Sequence, residues 1–291
     1  MDQLHPLPGT PHLPDAGTPL RDWADFALDL AGRADAISMA HFRRDLHIET
    51  KPDRSFVTEA DRAIEQMARN RILAAYPDHG IVGEEYGEER AGAELRWYVD
   101  PIDGTHNYMR GVPVFATLIA LESRSGLELG VVSAPALGTR WFAWRDGGAW
   151  SIDLPGGPAG GGDLPRRLAV SGIARIEEAQ LLYSSPREVV RSGLAPGWER
   201  ALGRAWRERG FGDFWGYMLV AEGAAEAMVE VGIHSWDLAA VRVVVEEAGG
   251  RLTDLRGSPT IHNPSSLATN GVLHETILEA FRTTDRPATG T

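Results

Sequence analysis

The sequence predicts a mixed α/β fold of the α+β kind, in which helices and sheets stack in layers. Three observations point there. Two long segments with helical periodicity open the chain, a series of short alternating or continuously apolar segments follows, and the C-terminal part interleaves strands with helices. At 291 residues, 43% hydrophobic and 24% charged, the chain can bury a large core in one integrated domain or two tightly joined halves.

The elements follow in order. Residues 1–19 are Pro-rich, without periodicity, and read as a tail. Apolar residues recur at helical spacing from Asp22 to Ala40 and again from Thr58 to Tyr76, where Thr58 is the expected cap and Asp61 stands at the third helical position. Trp97 to Val99, Ala116 to Leu121, Leu129 to Ser133 and Arg140 to Trp144 read as strands, with Gly147-Gly148 as a hairpin turn. Trp141, Trp144 and Trp150 fall along adjacent strands and are read as sheet packing. The glycine-rich stretch from Pro155 to Pro165 is read as a surface hairpin dividing an N-terminal half, 20–150, from a C-terminal half, 151–285. Beyond it come strands at Leu168 to Ser171 and Gln180 to Ser184, helices around Pro196 to Gly203 and Phe214 to Gly223, and a strand from Ala227 to Val231. A helix at Trp236 and a final strand and helix complete the order.

Composition excludes several classes. A net charge of −12 with no Lys/Arg patch argues against a nucleic-acid partner. No apolar stretch of about 20 residues is present and the start has no signal-peptide core, so neither a membrane span nor export is expected and the location reads as cytoplasmic. With no cysteine there is no disulfide, thiolate metal site or Cys nucleophile, and the nine histidines form no HExxH-like pattern.

The chemistry concentrates in Trp97-Tyr-Val-Asp-Pro-Ile-Asp-Gly-Thr-His-Asn-Tyr108. An apolar strand runs into two carboxylates, Asp100 and Asp103, and then a Gly104-Thr105 turn. Glu84 and Glu85 follow Gly83 at the end of another apolar run, and Asp237 opens an apolar helix. These are hard oxygen donors of the kind Mg²⁺ takes, often together with substrate phosphate. Pro101 fixes one backbone angle and lacks an N–H, so the chain can turn the Ile102 carbonyl toward the same point. Free N–H groups at Gly104 and Thr105 suit an anion on the other side. Each piece alone has a plainer reading. The Asp-Pro-Ile-Asp-Gly segment suits a polar turn, the acidic run Glu84 to Glu94 a solvated loop, and Asp237 a helix N-cap worth about 1 kcal/mol. The conjunction carries the claim.

Gly83-Glu84-Glu85, Asp100-Pro101-Ile102-Asp103-Gly104-Thr105 and Trp236-Asp237 together resemble the signatures of the inositol monophosphatase-like superfamily of Mg²⁺-dependent, lithium-sensitive phosphomonoesterases. The resemblance runs from about Trp23 to about Phe281 and includes Lys51 and Val57-Thr-Glu-Ala-Asp61. It implies the sugar-phosphatase fold, alternating helix and sheet layers with the metal site between the halves, and a homodimer. It also implies two to three Mg²⁺ ions. Glu84, Asp100 and the Ile102 carbonyl would hold one, Asp100, Asp103 and Asp237 a second, and Glu84 would face a third through water. Asp61 and Thr105, with Glu84, take the catalytic roles beside the attacking water, and Gly104 and Thr105 bind phosphate. In such a site the metals lower the pKa of water and neutralise developing phosphoryl charge.

The substrate is expected to be a small phosphate ester. Gly210-Phe-Gly-Asp-Phe-Trp-Gly-Tyr-Met-Leu-Val-Ala-Glu-Gly223, with Asp213 and Tyr217, and Arg110-Gly-Val-Pro-Val resemble the histidinol-phosphate phosphatase subgroup. Carboxylates at Asp213 and Glu230, with Asp237, would suit the ammonium and imidazole of histidinol phosphate. Standing alone, Asp213 would be a surface turn residue and Glu230 a strand-end charge. The alternative enzyme is an inositol-1-monophosphatase or related sugar-phosphate phosphatase with the same metals. A catalytically silent metal- or phosphate-binding protein is the alternative outside enzymes, although binding alone does not call for the Asp61–Thr105 pair.

Overall fold

The computed structural model describes residues 19–51, 56–155, 157 and 164–282. The chain begins with α1 (Pro19–His41), the hairpin β1 (Ile48–Thr50) and β2 (Phe56–Thr58), and α2 (Glu59–Ala75). Next come β3 (Gly80–Gly83), β4 (Gly87–Glu89), β5 (Arg96–Asp103), α3 (Thr105–Met109), β6 (Ala116–Ser123), β7 (Gly126–Ala134), β8 (Thr139–Trp144), β9 (Gly148–Asp153) and β10 (Arg166–Arg167). The remainder is β11 (Gln180–Tyr183), α4 (Pro186–Arg191), α5 (Ala195–Leu202), β12 (Arg207–Arg209), α6 (Asp213–Ala221), β13 (Ala227–Val231), α7 (Ser235–Glu247), β14 (Arg251–Thr253), β15 (Ser265–Thr269) and α8 (His274–Arg282). The expected tail lies outside the described residues apart from Pro19, and so does most of the glycine-rich stretch.

Eight strands form one sheet in the order β10-β9-β8-β7-β6-β5-β3-β4, with β3 and β5 its parallel neighbours. Five form a second, β12-β11-β13-β15-β14, parallel from β12 to β13 and antiparallel beyond. Helices α1 and α2 cover one face of the large sheet, α6 and α7 lie between the sheets, and α4, α5 and α8 cover the far side of the small one. Five layers alternate helix, sheet, helix, sheet, helix, which meets the layered expectation.

Side-chain alternation shows why the strands read as apolar throughout. On β5, Trp97 and Val99 enter the core under α1 and α2, while Tyr98 enters the core on the opposite face. On β13, Ala227, Val229 and Val231 face α5 and α8, and Met228 faces α6 and α7. A sheet covered on both faces has little use for polar residues in its centre. Among the described residues no helix is long and apolar enough to cross a membrane. Trp141 and Trp144 are buried in the sheet packing, as expected.

Three local expectations change. The strand read at Trp97 to Val99 continues to Asp103, with a register shift against β6 between Asp100 and Asp103. Pro101 has no N–H for the ladder, so this bulge lets the strand pass through it while swinging both aspartates to its end. Leu168 to Ser171 is not a strand. Its alternation is satisfied by docking, with the Leu168 N–H on the Ala149 carbonyl and the Val170 N–H on the Ala248 carbonyl. The final strand is a pair, β14 and β15, since three-residue β14 is too short to show a period.

Candidate metal and phosphate site

The bulged end of β5, the turn after β3, the start of α3 and the N-termini of α6 and α7 meet around a cleft of about 800 Å³. Its lining includes Lys51, Glu84, Asp100, Ile102, Asp103, Gly104, Thr105, Asp213, Glu230 and Asp237, so nine of the sequence-derived site residues come together there with Lys51. Carboxylate oxygens of Asp100, Asp103 and Asp237 lie within 4.8 Å of one another.

The electrostatics of this group are unfavourable without a cation. Burial, then the charge of Glu84, holds the Asp100 carboxyl well above its ordinary range, and Asp100 Oδ1 has no hydrogen-bond partner. Burial, then Asp213, Asp237 and Glu230, does the same to Asp103, whose Oδ2 accepts the Phe214 N–H at 2.6 Å. Glu84 is also raised by burial. Lys51 Nζ donates to Glu84 at 2.9 Å and to Glu85 at 2.6 Å, and those bonds outweigh its burial and push its pKa up to about 12. Burial pushes Glu85 up to about 7. An unpartnered buried oxygen, repelling carboxylates and an all-oxygen convergent set fit a divalent oxophilic cation such as Mg²⁺.

Asp237 departs from its expected place. Helix α7 starts at Ser235 with His234 as N-cap, and Asp237 is the third helical residue, whose Oδ2 accepts the His234 N–H at 2.7 Å. One oxygen thus completes a capping box, which leaves the other for the cluster. Gly104 precedes α3 with φ +82°, and a Cβ there would lie 2.9 Å from the Val114 carbonyl oxygen, so glycine is required between the aspartates and Thr105. Thr105 Oγ1 donates to the Ile102 carbonyl at 2.9 Å. That carbonyl has a second lone pair left, and Ile102 reaches the cleft while its side chain packs with Ile64, Tyr108 and Phe115.

Asp61 stands apart from the lining. It is fully buried in the expected capping box, its Oδ2 accepting the Thr58 N–H at 2.8 Å and the Thr58 hydroxyl at 2.5 Å, while Oδ1 has no partner. Burial pushes it up to about 6, and its charge in turn raises Asp100. No hydrogen bond joins it to Thr105 among the described residues.

Beside Asp103, neither Asp213 nor Glu230 keeps the plain role its residue type suggests alone. Asp213 has φ +55°, a left-handed conformation that Asp tolerates better than most residues. This turn hands its carboxylate to Asn107 Nδ2 at 3.1 Å and aims the next N–H, of Phe214, at Asp103. Glu230 is not a strand-end charge but a buried residue within β13, on which the Tyr217 hydroxyl donates at 2.8 Å; Tyr217 also pairs with Ser266 at 2.5 Å. Burial, then Asp213, pushes Glu230 up to about 8. Asn107 and Ser266 were missed by sequence reasoning. Asn107 could have been suspected, since it lies one helical turn beyond Asp103; nothing local marks Ser266.

Residues 20–286 match the inositol monophosphatase family. The chain belongs to that family. Within it, a histidinol-phosphatase of Mycobacterium tuberculosis is 47% identical over 257 residues, covering 87% of this chain and 95% of the relative. A histidinol-phosphatase of Streptomyces coelicolor is 43% identical, covering 86% and 92%. Among solved structures, a Thermotoga maritima IMPase superposes with a TM-score of 0.77 at 30% identity, covering 90% of this chain and 97% of that one. The layered fold is therefore the family's, and inositol monophosphatase family members are Mg²⁺-dependent phosphatases, in line with the acidic donor set here.

Proposed function

We propose that the protein is a Mg²⁺-dependent phosphomonoesterase that hydrolyses L-histidinol phosphate to L-histidinol and phosphate. The observation that carries the substrate assignment is the pair of carboxylates, Asp213 and Glu230, that line the cleft beside Asp103. A neutral polyol needs no such carboxylates, whereas an ammonium group on the ester would favour the ionised form of Asp213 and gain a charge-assisted hydrogen bond from it. Identity to two histidinol-phosphatases over most of the chain supports the same reading.

Glu84, Asp100, the Ile102 carbonyl, Asp103 and Asp237 would hold two to three Mg²⁺ ions. Bound there, the ions would supply an acidified water and neutralise phosphoryl charge. Gly104 and Thr105 hold the phosphate through main-chain N–H groups. Thr105 and Asp61 hold the attacking water, and Asp61 Oδ1, free of other bonds, accepts its proton. The phosphorus–ester oxygen bond breaks as the water oxygen bonds phosphorus, the departing alkoxide takes a proton from solvent water to leave as histidinol, and Asp61 releases the proton it accepted back to solvent. Asp213 orients the ammonium end of the ester, with Glu230 behind it. Each chain forms one integrated phosphatase domain of two halves, 20–150 and 151–285, and a cytoplasmic homodimer completes the reading on the family's pattern.

The test is phosphate release from L-histidinol phosphate and from myo-inositol 1-phosphate, each with Mg²⁺, with EDTA, and with Asp61→Asn protein. A Mg²⁺-dependent preference for histidinol phosphate that Asp61→Asn abolishes is expected. Preference for the inositol ester would make the protein an inositol-1-monophosphatase instead, and full activity in EDTA would overturn the metal assignment.

A further inference from the structure

Under the Glu84-Glu85 turn lies a carboxylate that none of the chemistry above uses. Glu65, on α2, is fully buried. Its Oε2 accepts the Glu85 N–H at 2.6 Å, and its Oε1 accepts the Tyr86 N–H at 3.1 Å. Arg69, one turn along the helix, donates Nε to Oε1 at 2.8 Å and reaches on to the Gly87 carbonyl. Space for the carboxylate exists because residue 83 is glycine: a Cβ there would fall 2.0 Å from Glu65 Oε1. A helix and a turn some twenty residues later are therefore locked together through one buried ion pair.

The bonds of that pair are spent on the backbone of a single turn. A brace serving only the packing of α2 would not need both acceptor oxygens on consecutive N–H groups next to Glu84. Glu84 stands beside Asp100, and Glu85 beside Glu84, in a cluster of like charge, and Lys51 donates to both glutamates. The Glu84 N–H reaches the Val99 carbonyl at 3.3 Å, and the Glu65 carboxylate adds two shorter bonds, at 2.6 and 3.1 Å, that hold the turn against repulsion from the cluster. Arg69 neutralises Glu65, so the anchor adds no net charge to the site. Mg²⁺ demands near-ideal octahedral geometry, so its affinity depends on where such a turn holds its ligand.

We propose that Glu65, clamped by Arg69 and admitted by Gly83, is a positioning residue that pre-sets Glu84 for the divalent cation and thereby sets metal affinity. This rests on the reading of Glu84 as a ligand. An amide at position 65 accepts on one side only and turns an NH₂ toward one of the two backbone N–H groups. Partners that orient metal ligands commonly matter ~10–100-fold in metal affinity.

The experiment titrates metal-free wild type, Glu65→Gln, the milder Arg69→Lys, and Glu84→Gln with Mg²⁺ and Mn²⁺ by calorimetry. Alongside it, melting temperature is recorded, and the Mg²⁺ concentration for half-maximal hydrolysis of p-nitrophenyl phosphate and its KM at saturating Mg²⁺ are measured. Glu65→Gln should weaken metal binding about tenfold and Arg69→Lys by less, with KM held within about twofold. Amide exchange on the wild type should show the Glu85 and Tyr86 N–H groups protected before any metal is added. Wild-type metal affinity in either folded variant, even with a lowered melting temperature, would overturn the proposal. So would Glu85 and Tyr86 amides that become protected only when metal binds. If Glu84→Gln alone leaves metal affinity unchanged, it is the ligand assignment that fails.

Discussion

Asp100 and Glu230 are both buried carboxylates lining one cleft, and their surroundings are opposite. Asp100 crowds against Glu84, Asp103 and Asp237 with Oδ1 lacking any partner, whereas Glu230 accepts from Tyr217 in a chain that continues to Ser266. Asp213, beside Glu230, is likewise held by Asn107. One wall has been left electrostatically incomplete. The other is finished within the chain. Evolution of a cation site and of a surface that orients an organic group would leave these two signatures, because an unpartnered buried charge is costly until something binds it, while a hydrogen-bonded one is rigid beforehand.

The largest effect expected from this contrast is at Asp100. Asp100→Asn should lower Mg²⁺-dependent hydrolysis about a thousandfold, equivalent to about 4 kcal/mol of barrier, while raising the melting temperature of the metal-free protein. Added Mg²⁺ should stabilise wild type against heat and leave this variant nearly unmoved. A metal-free variant that melts lower than wild type would break the contrast.

Next in size is specificity. Asp213→Ala should raise KM for histidinol phosphate about 10–30-fold through loss of a charge-assisted contact, yet change p-nitrophenyl phosphate by less than about twofold. Equal losses on both esters would place Asp213 with the metal wall, acting through the Phe214 N–H on Asp103. Asp213→Gly sharpens the point, because it also loses the carboxylate while accepting φ +55° more readily than alanine does. It should keep the p-nitrophenyl phosphate activity better than Asp213→Ala.

Tyr217→Phe should cost about 1–2 kcal/mol in chemical denaturation by removing the Tyr217 donor from buried Glu230, with the Mg²⁺ requirement unchanged. The smallest effect concerns pH. Glu230 titrates at about 8 in the fold, against an ordinary glutamate's 4.5, so the folded state binds its proton more tightly than the unfolded state. Its contribution to stability is full below about 4.5 and is lost as pH rises through about 8. Stability curves of Glu230→Gln between pH 5 and 9 should be flatter than wild type; parallel curves would show Glu230 to be more solvated than the buried wall implies.

Much of the site was legible because its clustered acidic residues sit at local punctuation. A strand ending in Asp-Pro-Ile-Asp-Gly-Thr, a glycine before two glutamates and an aspartate in the first turn of a helix are marks of element ends, and Thr58 with Asp61 spelled out its own capping box. Leu168 to Ser171 misled for the same reason. Its alternation is real, but whether a segment pairs as a strand depends on a free sheet edge, which no local pattern reports. Glu65 was read only as part of a periodic helix, since a buried glutamate looks like a solvated one until its neighbours are known.

By itself the sequence determined the order of elements, the layered class, the oxygen-donor type of the clustered residues and the family, all of which depend on residue types at short spacing. Tertiary structure alone decided that Asp237 comes within 4.8 Å of Asp100 and Asp103, that Asp213 turns left-handed to cap Asp103, and that Glu230 is bonded and buried. Those facts depend on where distant chain segments meet, and that is set by packing of the whole core, not by any stretch of it.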